Sequence, residues 1–202
     1  MLNPPGPATR QAHGWPRDMP GAEPLEYDLL MARLIVPNVR FHSSWLQGAE
    51  EFDGARQDGA GAEDWRLDEL KDPQAFRRFV DTLVKDALPE NPRKPGYVPC
   101  TYVWIVEGDT FLGSLAIRHE LTDFLLNEGG HIGYSVRPSA RRCGHAARAL
   151  ADALPIAKEL GIPRVLLTCD EDNAGSRATI EKNGGVYEDT RNGKLRYWIE
   201  KF

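Results

Sequence analysis

Cysteine is scarce and falls into no pattern. Cys100, Cys143 and Cys169 are the only three, and none forms a C-x-x-C pair. They build neither a disulfide framework nor a thiolate zinc site, and such usage suits a reducing cytoplasm. Long apolar runs are missing too: none approaches the roughly 20 residues that a membrane-spanning helix needs. The first 24 residues hold no apolar signal-peptide core. Surplus positive charge is also lacking, with 25 Lys and Arg against 30 Asp and Glu, a formal net charge of -5. Neutralising phosphates takes a basic face, so nucleic acid is not the expected partner. No segment repeats at a spacing of 20–50 residues, which excludes solenoids and propellers.

What is present is ordinary globular material. Hydrophobic residues make up 41% and charged residues 27%, and 202 residues suffice for one sizeable core. Residues 1–24 are dense in Pro and Gly and read as a flexible lead-in, which leaves 25–202 as a single folded domain.

Patterning predicts a first strand over 27–37, closed by Pro37, then a helix over 39–52 with Val39, Trp45, Leu46 and Phe52 on its apolar side. Residues 52–65 read as a loop. A helix follows, capped by Asp72 with Pro73 first, and its face is Phe76, Phe79, Val80, Leu83, Val84 and Leu88. Two β-rich runs flank residues 107–110 as a hairpin. After a connector (122–130) come a strand at 131–138 and a helix at 145–160. That helix turns Ala147, Leu150, Leu154, Ala157 and Leu160 inward and is interrupted by Pro155. A nearly all-apolar strand (164–170), a helix capped at Asn173 and two final strands complete the chain. The strand–helix–strand crossover over 131–170 places two parallel strands in one mixed sheet, an α/β architecture.

The junction Arg141-Arg142-Cys143-Gly144-His145-Ala146 combines what a diphosphate needs. The first N–H groups of a helix have no internal partners, the macrodipole adds partial positive charge, Gly144 allows close approach, and two arginines add formal charge. No Gly-Lys-Ser/Thr follows and no G-x-G-x-x-G is present, so it is neither a P-loop nor a dinucleotide fingerprint. A turn with solvated arginines is the plain alternative.

Taken with its neighbours, the segment resembles the GCN5-related N-acetyltransferase (GNAT) superfamily. Arg141, Gly144 and Ala146 stand in the R-x-x-G-x-A pattern, HIGYSVRP precedes it and TCDEDNAGSRATIEKNGG follows it; IRHEL, GGHIGY and TIEKNGG resemble a bacterial subgroup of predicted acetyltransferases. Over 25–202 the resemblance implies the GNAT-like acyl-CoA N-acyltransferase fold: a mixed, mostly antiparallel sheet with one splayed parallel strand pair, flanked by helices. It implies acetyl-CoA as co-substrate, no metal, and an acetyl group moved to a primary amine of a small molecule or a protein. The backbone of Arg142, Cys143, Gly144, His145, Ala146 and Ala147, with Arg141, would hold the pyrophosphate. Tyr134, Ser135 and Val136 would meet the pantetheine arm, as would Asn173 and Ser176, although Asn173 also suits a plain helix cap.

The resemblance further implies a base on or beside the strand that holds His131. The candidates are Glu128 and His131, with His119 and Glu120 weaker; His131 also suits a structural role. The family's tyrosine acid, counted from Asn173, falls on Ile180, which leaves Ser176, Tyr187 or no protein acid. Direct attack by the amine needs no covalent intermediate, so Cys143 and Cys169 are bystanders. Two other readings share the fold: a non-catalytic acyl-CoA sensor or interaction module, and an aminoacyl-tRNA-dependent transferase, against which the negative charge and intact phosphate loop speak. The acceptor site is expected among residues 39–88, 122–130 and the last strands, with Tyr97, Trp104, Phe124, Tyr187 and Trp198 as candidate aromatics. A homodimer is left open.

Overall fold

The computed structural model describes residues 31–90 and 94–202; the expected lead-in over 1–24 lies outside them. Within the expected first strand, Arg33–Ile35 forms β1, and residues 27–30 also lie outside. A 3-10 turn at Val39–Phe41 leads into α1 (His42–Glu50), and the chain turns off it at Asp53 and Gly54, both with positive φ. The sequence reading missed a single helical turn, α2 (Leu67–Leu70). α3 (Pro73–Lys85) starts as its residues dictate: the Asp72 side chain accepts the Ala75 N–H at 2.8 Å, and Pro73 occupies the first turn.

Phe76, Phe79, Val80 and Leu83 of α3 pack with Phe41, Trp45, Trp104 and Phe111 into an aromatic core. Val84 is 45% exposed because it stands about 100° around the helix from Leu83, and Leu88 is exposed beyond the helix end. Both had been expected on the buried face. β2 (Cys100–Glu107) and β3 (Thr110–Arg118) form the expected hairpin. A π-helical turn at Leu125–Gly129 occupies the connector, followed by β4 (Ile132–Val136).

α4 (His145–Glu159) is not interrupted by Pro155, which lies on the solvent side near the helix end. There its missing N–H leaves only an exposed carbonyl without a helical partner. Leu160, expected inward, is exposed at the C-cap, where Gly161 (φ +81°) turns the chain away. β5 (Val165–Asp170), α5 (Ala174–Lys182), β6 (Val186–Arg191) and β7 (Lys194–Ile199) complete the order.

The strands do not form one mixed sheet. They form two antiparallel ones, in the orders β1-β2-β3-β4 and β5-β7-β6. The crossover strands β4 and β5 share no ladder; they meet at His131 and part beyond it. The His131 N–H donates to the Leu166 carbonyl at 2.7 Å, and its Nδ1 accepts the Leu166 N–H at 2.9 Å. Gly130 (φ +63°) makes this approach possible, since a Cβ there would lie 2.7 Å from the Leu166 oxygen. Beneath α4 one apolar core spans both sheets, with Leu115, Ile117 and Ile132 on one side and Val165, Leu167 and Ile199 on the other.

His131 is therefore a buried hinge pin. Burial, with the charges of Arg118 and Arg164, lowers its pKa from 6.5 to about 4. A histidine held neutral in the fold stabilises it fully above its unfolded value. That contribution is lost as pH falls from about 6.5 to about 4, where the unfolded chain binds the extra proton. Stability measured by urea unfolding should fall over this window. In His131→Ala the fall should shrink, and the orphaned Leu166 N–H should cost about 1–3 kcal/mol at pH 7. An unchanged pH profile in the variant would refute the pin.

Candidate active site

The segment leading from β4 into α4 is fastened from outside. Arg137 donates through Nε to Glu51 at 2.9 Å and through Nη1 to the Phe111 carbonyl at 3.1 Å, and its Nη2 forms an ion pair with Glu51. Glu51 also accepts the Ser139 N–H and hydroxyl, both at 2.9 Å. The Arg137 hydrogen bonds are the largest of the influences that lower the Glu51 pKa from 4.5 to about 2. Past a 3-10 turn at Pro138–Ala140, Arg141 bonds the Val136 carbonyl at 3.0 Å. Arg142 then adopts φ +63°, a costly conformation for an L residue with a long side chain, and Gly144 adopts φ +84° as the N-cap of α4. No side chain caps this helix, and its first helical bond to Gly144 comes from Arg148. The N–H groups of His145, Ala146 and Ala147 therefore point outward beside exposed Arg141 and Arg142.

These groups open onto a cleft of about 610 Å³ between the parted strands. Of the residues anticipated for a nucleotide-bearing ligand, the cleft is lined by Tyr134, Ser135, Val136, Arg141, Arg142, Gly144, His145, Ala146, Ala147, Asn173 and Ser176. Cys143 is not among the lining residues; it is exposed, and its thiol faces the Arg141 carbonyl. Asn173 does cap α5, accepting the Ser176 N–H at 2.9 Å.

The candidate proton-transfer residues separate. Glu128 lines the cleft, and Asn192 Nδ2 holds its carboxylate at 3.0 Å. His131 does not line it: its Nδ1 is committed to the Leu166 N–H and its ring is buried. Tyr187 stands elsewhere, 51% exposed on β6, with its hydroxyl 2.8 Å from that of Thr190. His119 bonds Thr101 and is not among the lining residues, and Trp104 belongs to the aromatic core. Among the anticipated aromatics Phe124 does reach the cleft.

Sequence reasoning missed the Tyr134 side chain. The resemblance gives Tyr134 only a backbone contact with the pantetheine arm, yet its hydroxyl lies 2.9 Å from Ser176 Oγ, joining β4 to α5 across the cleft. Burial is the main cause raising the Tyr134 pKa to about 12. The tyrosine of GGHIGY was visible; that its ring would meet a serine 42 positions later depends on the splay. Residues 52–65 were also under-read. They hold no helix or strand, but Gly59 (φ +78°) packs so closely on β4 that a Cβ would lie 2.2 Å from the Gly133 oxygen. The loop is thus a fixed wall that brings Phe52, Arg56 and Asp58 to the cleft.

Among the described residues no helix is long and apolar enough to cross a membrane, and no group of three or more His, Cys, Asp or Glu could hold a metal. The family model described as an acetyltransferase (GNAT) domain matches residues 49–186. No curated protein sequence matches the chain. Solved structures share the fold. RimJ from Mycobacterium smegmatis, in complex with CoA-disulfide, gives a TM-score of 0.61 at 20% identity, over 85% of this chain and 83% of its own. The microcin C7 self-immunity acetyltransferase MccE, in complex with acetyl-CoA and AMP, gives 0.58 at 14%, over 84% and 92%. A ribosomal-protein-S5-alanine acetyltransferase from Vibrio fischeri gives 0.57 at 16%, over 84% and 92%.

The Glu51 clamp carries its own prediction. A carboxylate with a lowered pKa stabilises the fold above its unfolded value, and that stability is lost as pH falls from about 4.5 toward 2. Glu51→Gln should lose about 1–2 kcal/mol at pH 7, a figure held down because the side chain is 26% exposed. It should flatten the acid limb of the stability curve and speed hydrogen exchange at the Ser139 amide. Unchanged exchange there would count against the clamp.

Proposed function

The chain belongs to the GNAT acetyltransferase family, and from that premise we propose that it moves an acetyl group from acetyl-CoA to a primary amine by direct attack on the thioester. The observation that carries this reading is the uncapped, arginine-flanked N-terminus of α4 opening onto the cleft between β4 and β5. Its free N–H groups and positive charge suit a pyrophosphate, and the cleft suits the arm that follows. In this reading the backbone from Arg142 to Ala147, with the Arg141 guanidinium, holds the diphosphate. Tyr134, Ser135 and Val136 on β4 meet the pantetheine, and Asn173 and Ser176 close the α5 side. The solved structures of RimJ and MccE, which hold CoA-disulfide and acetyl-CoA, support the choice of ligand.

Glu128 is the base in this reading. It lines the cleft with its carboxylate oriented by Asn192, placed to take the ammonium proton directly or through one water. His131 is set aside, because the lone pair a base needs is occupied. The leaving sulfur is met by the Tyr134 hydroxyl. A phenol held near 12 is a weaker acid than a thiol of pKa about 8.5, a gap of roughly 5 kcal/mol, so full proton transfer is not its task. It stays protonated and donates a hydrogen bond to charge developing on sulfur, with Ser176 fixing its direction. A hydroxyl thereby stands in for the family tyrosine absent at Ile180, which removes the main argument for a non-catalytic sensor. The ribosomal-protein acetyltransferase among the structural neighbours keeps a protein amine in view beside small amines.

Calorimetric titration with acetyl-CoA tests the ligand. Binding in the micromolar range is expected, and Gly144→Glu should abolish it by placing a carboxylate where the phosphates belong. A Cβ at Gly144 meets nothing within 4 Å, but φ +84° strains any side chain there, so Gly144→Ala, which carries that strain without the charge, should keep most of the binding. No binding by the unaltered protein would end the acetyltransferase reading. With an amine that releases free CoA, Tyr134→Phe should lower kcat about a hundredfold and leave the KM for acetyl-CoA nearly unchanged. A kcat within twofold of the parent would remove Tyr134 from the reaction.

A further inference from the structure

Opposite the phosphate-binding end, the cleft wall carries a charge that the reaction above does not use. Arg118, the last residue of β3, lines the cleft half-buried. Its Nη1 donates to the carbonyls of Gly129 and Gly130 at 3.2 and 3.4 Å, which fixes the plane of the guanidinium. Its terminal end stands beside Gly133, where a Cβ would be 3.3 and 3.4 Å from its two terminal nitrogens. Nε and Nη2 form the edge that takes a carboxylate in two parallel hydrogen bonds. Neither has a partner among the described residues, and no carboxylate there lies within ion-pair distance. The nearby acids are already engaged: Asp58 pairs with Arg56 at 2.9 Å, and Glu128 is held by Asn192. A half-buried guanidinium without a counter-ion is costly unless a ligand supplies one.

The neighbouring residue sharpens this. Arg118 grips the carbonyl of Gly129, so its charge stands next along the wall to Glu128, which we assign to the amine's proton. A molecule that presents an ammonium to Glu128 and an oxyanion to Arg118 satisfies both. We infer that the acceptor is a small amino carboxylate, an amino-acid-like zwitterion whose carboxylate docks on the Nε–Nη2 edge of Arg118. The inference rests on the acetyltransferase reading for the placement of the amine, but not for the anion site itself.

Matched pairs test it: free amino acids against the corresponding amino-acid amides, both with the same α-amine. The first readout is calorimetric binding to the protein without acetyl-CoA, and the second is release of free CoA. The amide lacks the charge that helps keep the neighbouring ammonium protonated, so any intrinsic reactivity bias runs against the proposal. At least one acid should bind about tenfold more tightly than its amide. The ratio should fall to near one in Arg118→Gln and be partly kept in Arg118→Lys, which retains the charge but loses the fork. Melting curves of both variants and their acetyl-CoA affinity, expected within about twofold of the parent, exclude a collapsed connector.

Amides binding as well as acids, a ratio unmoved by Arg118→Gln, or no binding of either series at millimolar concentration would each overturn the proposal. Turnover of peptide N-terminal amines alone would do so too. Failure of acetyl-CoA to bind would end the acetyltransferase reading while leaving the acid-to-amide binding ratio to be read.

Discussion

One pair of hydrogen bonds determines the shape of everything that follows. At His131 and Leu166 the two sheets are tied through both a backbone N–H and an imidazole nitrogen, and past that point no ladder joins β4 to β5. A parallel pair normally continues its bonds along the strands. Here the backbone groups of β4 and β5 are left facing a gap, and α4 bridges the sheets above it so that the gap cannot close. Thr168 Oγ1 donates to the Glu128 carbonyl at 2.5 Å, and Arg196, 1% exposed, bonds the Leu126 carbonyl and pairs with Asp189 and Glu188. These ties hold the connector against the second sheet. The cleft opens toward the N-terminus of α4 because the strands are pinned at the other end.

Electrostatics then divide the cleft. The chain is acidic as a whole, yet Arg141, Arg142, His145 and Lys182 gather at one end of the gap. A local field of this kind depends on placement rather than net charge. Glu51 sets that placement without lining the cleft. By accepting from Arg137 and Ser139 it anchors the start of the turn to the end of α1, so the exposed arginines ahead of α4 begin from a fixed backbone. Arg141 stays in place through the Val136 carbonyl and the face of Phe52, whose ring centroid is 5.5 Å away.

Much of this was legible in the sequence because the signals were local. Asp72-Pro73, the apolar run at β5, the capped α5 and the Arg-Arg-Cys-Gly junction each carry their cause within a few residues, and each stands where patterning put it. What escaped was non-local. A crossover pattern has the same sequence whether its strands pair or part, so patterning joined β4 and β5 in one sheet, and only the family resemblance implied that the pair splays. Val84 and Leu160 are apolar like their buried neighbours, and only the packing partners decide which stay outside. Glu51 and Arg137 are 86 positions apart, so neither announces the other. His131 was visible as a candidate, but the choice between base and pin turned on a backbone N–H in another strand.

The same limit applies, with more consequence, to the parity of β4. Successive residues of a strand point to opposite faces. Tyr134, paired with Leu115, turns toward α5 and meets Ser176, whereas Gly133, paired with Ala116, turns toward Arg118 and the wall at Gly59. One short strand thus offers a face to the proposed thiolate partner on one side and to the proposed acceptor site on the other. A slip by one residue would exchange the two faces and turn the Tyr134 ring toward Arg118 and the Gly59 loop, where even a Cβ on Gly133 would have Arg118 Nη1 at 3.3 Å and the Gly59 nitrogen at 3.5 Å. Gly113 helps prevent that slip, since a Cβ there would lie 2.1 Å from the Ser135 oxygen and only glycine lets β3 approach so closely. Glycines at 59 and 113 therefore do more than relieve crowding. They fix the register that keeps the proposed thiolate partner and the proposed acceptor site on opposite faces of the same strand.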